Sequence, residues 1–160
     1  MTRLPNSSAA GSLAALLKPE AIVLELVSRD KVAVIRELAR PLIDDGTITD
    51  EQEFFSAVLR RENLESTGIG LGIAIPHART GAVKKTALAF GLSREGVDFN
   101  SLDGKPSHVV FLIAAPEDRK TEYIMTLARV SKLLRRDEVR SGLIAAQTTQ
   151  DIVNIIAKHE

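Results

Sequence analysis

The sequence predicts an α/β fold, a β-sheet covered by helices within one domain. Three observations carry the prediction. Segments with apolar residues at helical spacing flank a glycine-rich, β-branched middle. Two near-continuous apolar runs in that middle have strand length and polar or turn residues at their ends. The chain has 160 residues, 44% of them apolar, which suits one ordinary domain with a real core.

Taken in order, "AIVLELV" (Ala21 to Val27) alternates as a strand does. "SRDKVAVIRELARPLIDDG" then places Val32, Ile35, Leu38, Ala39 and Leu42 at helical spacing, with Ser28 as the expected N-cap and Gly46 as the stop. In "TITDEQEFFSAVLRREN", Thr49 and Gln52 have capping-box spacing, and Phe54, Phe55, Val58 and Leu59 form one apolar face. "GIAIP" is a short extended run. "TALAFGLS" (Thr86 to Ser93) and "HVVFLIAAP" (His108 to Pro116) are the two buried strands, separated by a turn at Asp103-Gly104. The last third is helical. "KTEYIMTLARVSKLLRR" aligns Ile124, Leu127, Val130, Ser131 and Leu134, "DEVRSGLIAAQ" is a shorter helix, and "TTQDIVNIIAKHE" opens with Thr148 and Asp151 at capping-box spacing.

Composition narrows the chemistry. Lys plus Arg equals Asp plus Glu at 21 each, so nothing points to nucleic acid or an anionic membrane surface. There is no cysteine, which removes disulfides, thiolate catalysis and cysteine-based zinc sites. No apolar run approaches the ~20 residues of a membrane span, and the apolar stretch Leu13 to Leu17 is too short for a signal peptide. The expectation is a cytoplasmic protein without membrane insertion, with residues 1–12 as a flexible N-terminal tail and 13–160 as the domain.

The chemistry centres on "STGIGLGIAIPHARTGAV", Ser66 to Val83. A dinucleotide fingerprint needs strand, glycine loop and helix in that order, and here the glycines follow a helix and precede extended chain. A Walker loop and a nucleophile elbow are absent. The three histidines, His77, His108 and His159, are far apart and lack metal-ligand spacing, so no metal is expected. What remains is His77 as a lone nucleophile or base. Imidazole is substantially unprotonated at neutral pH and can attack phosphorus. Glycine-rich backbone can point N–H groups at phosphate oxygens, and a guanidinium can neutralise their charge. Pro76 stiffens the backbone beside the ring. From the residues alone, a surface histidine after a strand, with glycines that only make turns, fits the same pattern. His108 reads as a strand-end histidine.

"LRRENLESTGIGLGIAIPHARTGAV" resembles the active-site signature of the phosphotransferase system IIA domains of the mannitol–fructose class, which includes the stand-alone nitrogen-regulatory IIA proteins. The resemblance runs from about Leu13 to His159 and takes in "FLIAAPED" and "LIAAQTTQDIVNII". It implies a mixed β-sheet covered by helices on both faces. It implies His77 as the residue phosphorylated, by a histidine-containing phosphocarrier protein (HPr or its nitrogen-branch paralogue), and Arg61 as the group that stabilises the phosphoryl charge. Ser66, Thr67 and Gly68 occupy the matching loop as candidate phosphate-pocket residues. No cofactor is implied. Many family members carry a second histidine in the helix after "AAPED"; Tyr123 stands at that position here. A tyrosine can donate its O–H to a phosphate oxygen but cannot carry positive charge.

Three functions follow from the resemblance. One is a regulatory phosphocarrier whose phosphorylation state controls target proteins, another a sugar-specific component passing phosphate to a IIB protein, and the third a binding module without phosphotransfer. Sugar-specific members are often fused to IIB and membrane domains, neither of which this sequence contains. That absence, with the wording of "ESTGIGLGIAIPHA", favours the nitrogen-regulatory reading.

Overall fold

Two long antiparallel strands form the centre of the sheet. In the computed structural model, which describes residues 12–160, β5 (Ala87–Val97) pairs with β6 (Ser107–Pro116), with Phe90 opposite Phe111 and Ala87 opposite Ala114. Every residue from Ala87 to Ser93 is buried, and β6 is buried along nearly its whole length. Strands buried on both faces need cover on both sides, and this is why they read as continuous apolar runs rather than alternating ones.

The other strands are short. β1 (Ile22–Val23) lies parallel to β5 at one edge. On the other side β3 (Ile73–Ala74) and β4 (His77–Thr80) both run parallel to β6, and β2 (Gly68–Gly70) pairs antiparallel with β3 at the far edge. The sheet is therefore six-stranded and mixed, in the order β1-β5-β6-β3-β2 with β4 also on β6. β3 and β4 form one line along β6, broken at Ile75–Pro76, where proline has no N–H to give. His77 opens the second half of that line, opposite Ile113.

Six helices are present among the described residues: α1 (Leu13–Leu16), α2 (Lys31–Asp44), α3 (Glu51–Leu64), α4 (Lys120–Leu134), α5 (Asp137–Ala145) and α6 (Thr149–His159). They fall into two groups. α2 and α3 pack on each other and reach β5 and β4, while α4 and α5 lie on β6, with α6 and α1 packed against them. Glu160 joins both ends of the second group. Its carboxylate accepts N–H bonds from Leu13 at 2.7 Å and Ala14 at 3.2 Å, and pairs with Arg129 at 3.0 Å. The remainder of the expected N-terminal tail, residues 1–11, lies outside the described residues.

Several local expectations change. β1 ends at Val23, and beyond it Leu26 donates its N–H to the Leu92 carbonyl at 2.8 Å and packs where Gly91 carries no side chain; a Cβ there would meet Leu26 at 2.9 Å. α2 is capped by Asp30, whose side chain accepts from Ala33 N–H at 2.9 Å. The Ser28 N–H is instead taken by Glu37 at 3.0 Å. Val34 joins the core in place of Val32, which is exposed. α3 is capped by Asp50 rather than Thr49, whose hydroxyl donates to the Ala82 carbonyl at 3.1 Å. The capping box of α6, Thr148 with Asp151, is as the spacing indicates. α4 is rotated from expectation: Thr126, Val130, Leu133 and Leu134 face the core, and Ile124 faces out.

Candidate active site

His77 owes its position to the break in the β3–β4 line. The Thr67 carbonyl accepts the Ile75 N–H at 3.0 Å, and the Pro76 carbonyl accepts the Ile113 N–H at 3.0 Å. Between these anchors the Ile75 carbonyl points back at the histidine ring, 2.6 Å from Nδ1. A carbonyl can only accept, so Nδ1 carries the proton and Nε2 holds the lone pair. The residue is only 5% exposed. Burial pushes the imidazole below its ordinary pKa; the Ile75 bond opposes this, the Arg61 guanidinium adds to it, and the Glu62 carboxylate opposes it. The net effect is a neutral ring at neutral pH.

The ring lines a cavity of ≈ 220 Å³ together with Arg61, Glu65, Ser66, Thr67, Ile69, Ile75, Leu102, Leu127 and Ser131. Arg61 is in the last turn of α3, and its Nη1 donates to the Glu65 carbonyl at 2.7 Å. Guanidinium has five N–H donors, so most remain for a ligand. Arg60, the next residue back on the helix, is exposed and lies outside the cavity lining.

The loop between α3 and β2 is shaped by its own hydroxyls. Ser66 Oγ donates to the Phe99 carbonyl and accepts from Gly68 N–H at 2.9 Å. Thr67 is buried, and its hydroxyl donates to Glu62. Both residues line the cavity with their side-chain oxygens already bonded to Phe99 and to Glu62 of α3. Gly68 opens β2 next to it; a side chain there would collide with Ser101. Tyr123, in the first turn of α4, has its ring centroid 5.8 Å from that of His77. Burial pushes its phenol up, while Arg61 and Arg79 act downward. At neutral pH it is an O–H donor. Leu127 and Ser131, four and eight residues on, line the cavity from the same helix face. This face bears on the rotation of α4: the stripe through Tyr123 borders the site, and its Tyr123 and Leu127 also pack against the edge of the core.

The structure thus brings His77, Arg61, Ser66, Thr67 and Tyr123 together, with Gly68 alongside. It leaves His108 apart, at the start of β6 with Nδ1 2.8 Å from the Ser93 carbonyl. Three further charged residues stand around the site unannounced. Glu62 is buried at 6% exposure, between Thr67 and Lys31 Nζ, the latter 3.0 Å away. Arg79 is two residues beyond His77 on β4 and bonds the Glu117 carbonyl. Alternation along a strand puts Arg79 on the His77 side, a signal readable in the sequence. The burial of Glu62 and its pairing with Lys31 depend on α2 and α3 meeting, which no local pattern contains.

Comparison with known proteins places this geometry among relatives. Residues 15–159 match the family model described as "Phosphoenolpyruvate-dependent sugar phosphotransferase system, EIIA 2". The chain is 45% identical over 145 residues to the PTS system fructose-specific EIIABC component of Bacillus subtilis, covering 91% of this chain but only 23% of that protein's length. It is 34% identical to a nitrogen regulatory protein of Bradyrhizobium diazoefficiens, covering 89% of this chain and 92% of the relative. Among solved structures, nitrogen regulatory protein IIA-Ntr from Neisseria meningitidis superimposes with a TM-score of 0.83 at 29% identity, over 89% of this chain and 97% of that one. The mannitol IIA of Escherichia coli, solved in complex with phosphorylated mannitol IIB, gives 0.76 at 26% identity, over 89% and 99%. The chain belongs to the phosphoenolpyruvate-dependent sugar phosphotransferase system EIIA 2 family, the mannitol–fructose type of phosphotransfer component.

Proposed function

We propose that this protein is a phosphocarrier that takes a phosphoryl group onto Nε2 of His77 from a phosphorylated histidine-containing phosphocarrier protein. The observation that carries the reading is the His77–Ile75 bond. It commits Nδ1 and leaves Nε2 with its lone pair in a cavity that a guanidinium also lines. In the transfer, the Nε2 lone pair attacks phosphorus. The P–N bond to the donor's histidine breaks, and its electron pair returns to the donor ring. The His77 ring keeps its Nδ1 proton and becomes cationic, a charge that the Ile75 carbonyl stabilises. Arg61 offsets the charge on the phosphoryl oxygens, and Tyr123 donates its O–H to one of them. Ser66, Thr67 and Gly68 shape the floor of the pocket. Exposed Leu102 at the cavity rim and exposed Ile124 and Met125 beside Tyr123 offer apolar surface against which a partner excludes water.

The onward step separates two readings. As a nitrogen-regulatory IIA component, the protein controls target proteins through its phosphorylation state, in line with its likeness to IIA-Ntr. As a fructose-type component it passes the group to a IIB protein; the higher identity to the Bacillus subtilis fructose protein favours this. The primary test is to incubate the protein with donor charged from phosphoenolpyruvate and seek an acid-labile, base-stable adduct by mass spectrometry. Wild type should label and His77→Ala should not; equal labelling would overturn the assignment. Offering the phosphorylated protein to a fructose IIB protein then separates the readings, since only the sugar component should discharge rapidly.

A further inference from the structure

A continuous run of hydrogen bonds leads from the N-terminus of α2 to the His77 ring. Lys31 Nζ donates to Glu62 Oε2 at 3.0 Å. The Thr67 hydroxyl donates to Glu62 Oε1, and the Thr67 N–H lies 3.4 Å from Oε2. The Thr67 carbonyl accepts from Ile75 N–H at 3.0 Å, and the Ile75 carbonyl accepts from His77 Nδ1 at 2.6 Å. Glu62 is the hub. Its side chain is 2% exposed, and both its oxygens are used.

A carboxylate is expensive to bury and is retained where it is paired and hydrogen-bonded. Here its donors come from two separate segments, α2 and the loop before β2. All three polar backbone and side-chain groups of Thr67 are fixed, two on Glu62 and one on Ile75. Thr67 thereby anchors the Ala74–Ile75 peptide, and Ile75, as the residue before Pro76, is restricted to extended backbone, so the adjoining Ile75–Pro76 peptide that carries the Ile75 carbonyl has little freedom to rotate. The direction of that carbonyl decides which ring nitrogen of His77 holds the proton.

We propose that Glu62 is a positioning residue for His77: acting through Thr67 and Ile75, it holds the ring in the tautomer that leaves Nε2 free. This rests on His77 being the phosphoryl acceptor. Glu62 itself does not touch the phosphoryl group. Lys31 pairs with the Glu62 carboxylate at 3.0 Å, and its ammonium also lies 5.7 Å from the centroid of the Phe99 ring. The charged groups that bear on the His77 ring are Arg61 and Glu62 from α3, with Arg79 of β4 acting on the adjacent neutral Tyr123.

The test uses the full chain and the Glu62→Gln variant, with ¹⁵N NMR of the imidazole nitrogens as the first readout. Wild type should show the Nδ1–H form; Glu62→Gln should show a mixture of tautomers, with His77 titrating at lower pH. Single-turnover transfer from the charged donor should slow about ten- to a hundredfold at saturating donor, the scale on which losing a ring-orienting partner acts. The donor concentration for half-maximal rate should stay close to wild type. If Glu62→Gln does not fold, the double variant Lys31→Met/Glu62→Gln removes both charges and takes its place. A wild-type tautomer and rate in the folded variant would overturn the proposal, as would a rate loss that matches the unfolded fraction. If wild type accepts no phosphate at His77 while the variant still changes tautomer, the phosphocarrier reading fails and the positioning role stands.

Discussion

Arg60 and Arg61 are adjacent in sequence and opposite in circumstance. Arg61 lines the His77 cavity, whereas Arg60 is exposed on α3. A guanidinium facing a doubly charged phosphoryl group forms charge-assisted hydrogen bonds of roughly 1.5–3 kcal/mol each, and every ~1.4 kcal/mol is a tenfold change in rate. Arg61→Ala should therefore slow transfer by tens-fold or more, read by single-turnover labelling, while the circular dichroism spectrum is retained. Arg60→Ala should change it far less; equal losses would deny Arg61 a specific part. Tyr123 contributes a neutral donor, worth about 1 kcal/mol in a typical hydrogen bond, so Tyr123→Phe should cost less than tenfold. Tyr123→His should hold or improve transfer, most visibly below about pH 6.5, where a free imidazole becomes cationic. A loss larger than that of Arg61→Ala in the phenylalanine variant would give the tyrosine a role in charge stabilisation that a neutral phenol does not supply.

Among the elements, the interrupted β3–β4 line is the one that makes the site. The Pro76 carbonyl bonds β6 at the Ile113 N–H, while Ile75 faces the other way, with its N–H on the Thr67 carbonyl and its own carbonyl on the His77 ring. α4 contributes a second device, since one face packs on β6 while the Tyr123, Leu127 and Ser131 stripe serves the cavity. α6 is remote from the chemistry and bears on stability alone. Its capping box satisfies N–H groups that helix geometry leaves unpaired. Thr148→Ala should lower the unfolding free energy by about 0.5–2 kcal/mol in urea titration. Transfer to His77 should be unchanged. A rate loss in the folded variant would mean that α6 is coupled to the site.

For the molecule as a whole, burying His77 ties stability to pH. The folded-state pKa of the ring is below its unfolded value of about 6.5, so between the two the unfolded chain binds more protons. Unfolding free energy therefore rises with pH across that window. The stability is full above about pH 6.5 and is lost progressively as pH falls toward the depressed folded value. His77→Gln should flatten that part of the stability–pH curve in denaturant titrations. An unchanged slope would mean that other groups carry the dependence. The same depression keeps Nε2 unprotonated, so the transfer rate should decline on acidification only at a pH below that of a free imidazole.

By itself the sequence determined the α/β class, the two central strands, the number and sites of the main helices, and the candidate nucleophile. These are local signals: apolar period, strand-length apolar runs, the Thr148–Asp151 spacing, and a histidine after glycines and proline. Only the tertiary structure decided that Asp50 and not Thr49 closes α3, because the Thr49 hydroxyl is drawn off by the Ala82 carbonyl, a partner distant along the chain. It decided the facing of α4, since a helix with two apolar or polar stripes takes its rotation from what it packs against. And it decided the roles of Glu62 and Lys31. Their pairing exists only where α2 and α3 meet, and burial, which sets the strength of charge interactions, is a property of the folded chain and of no local segment.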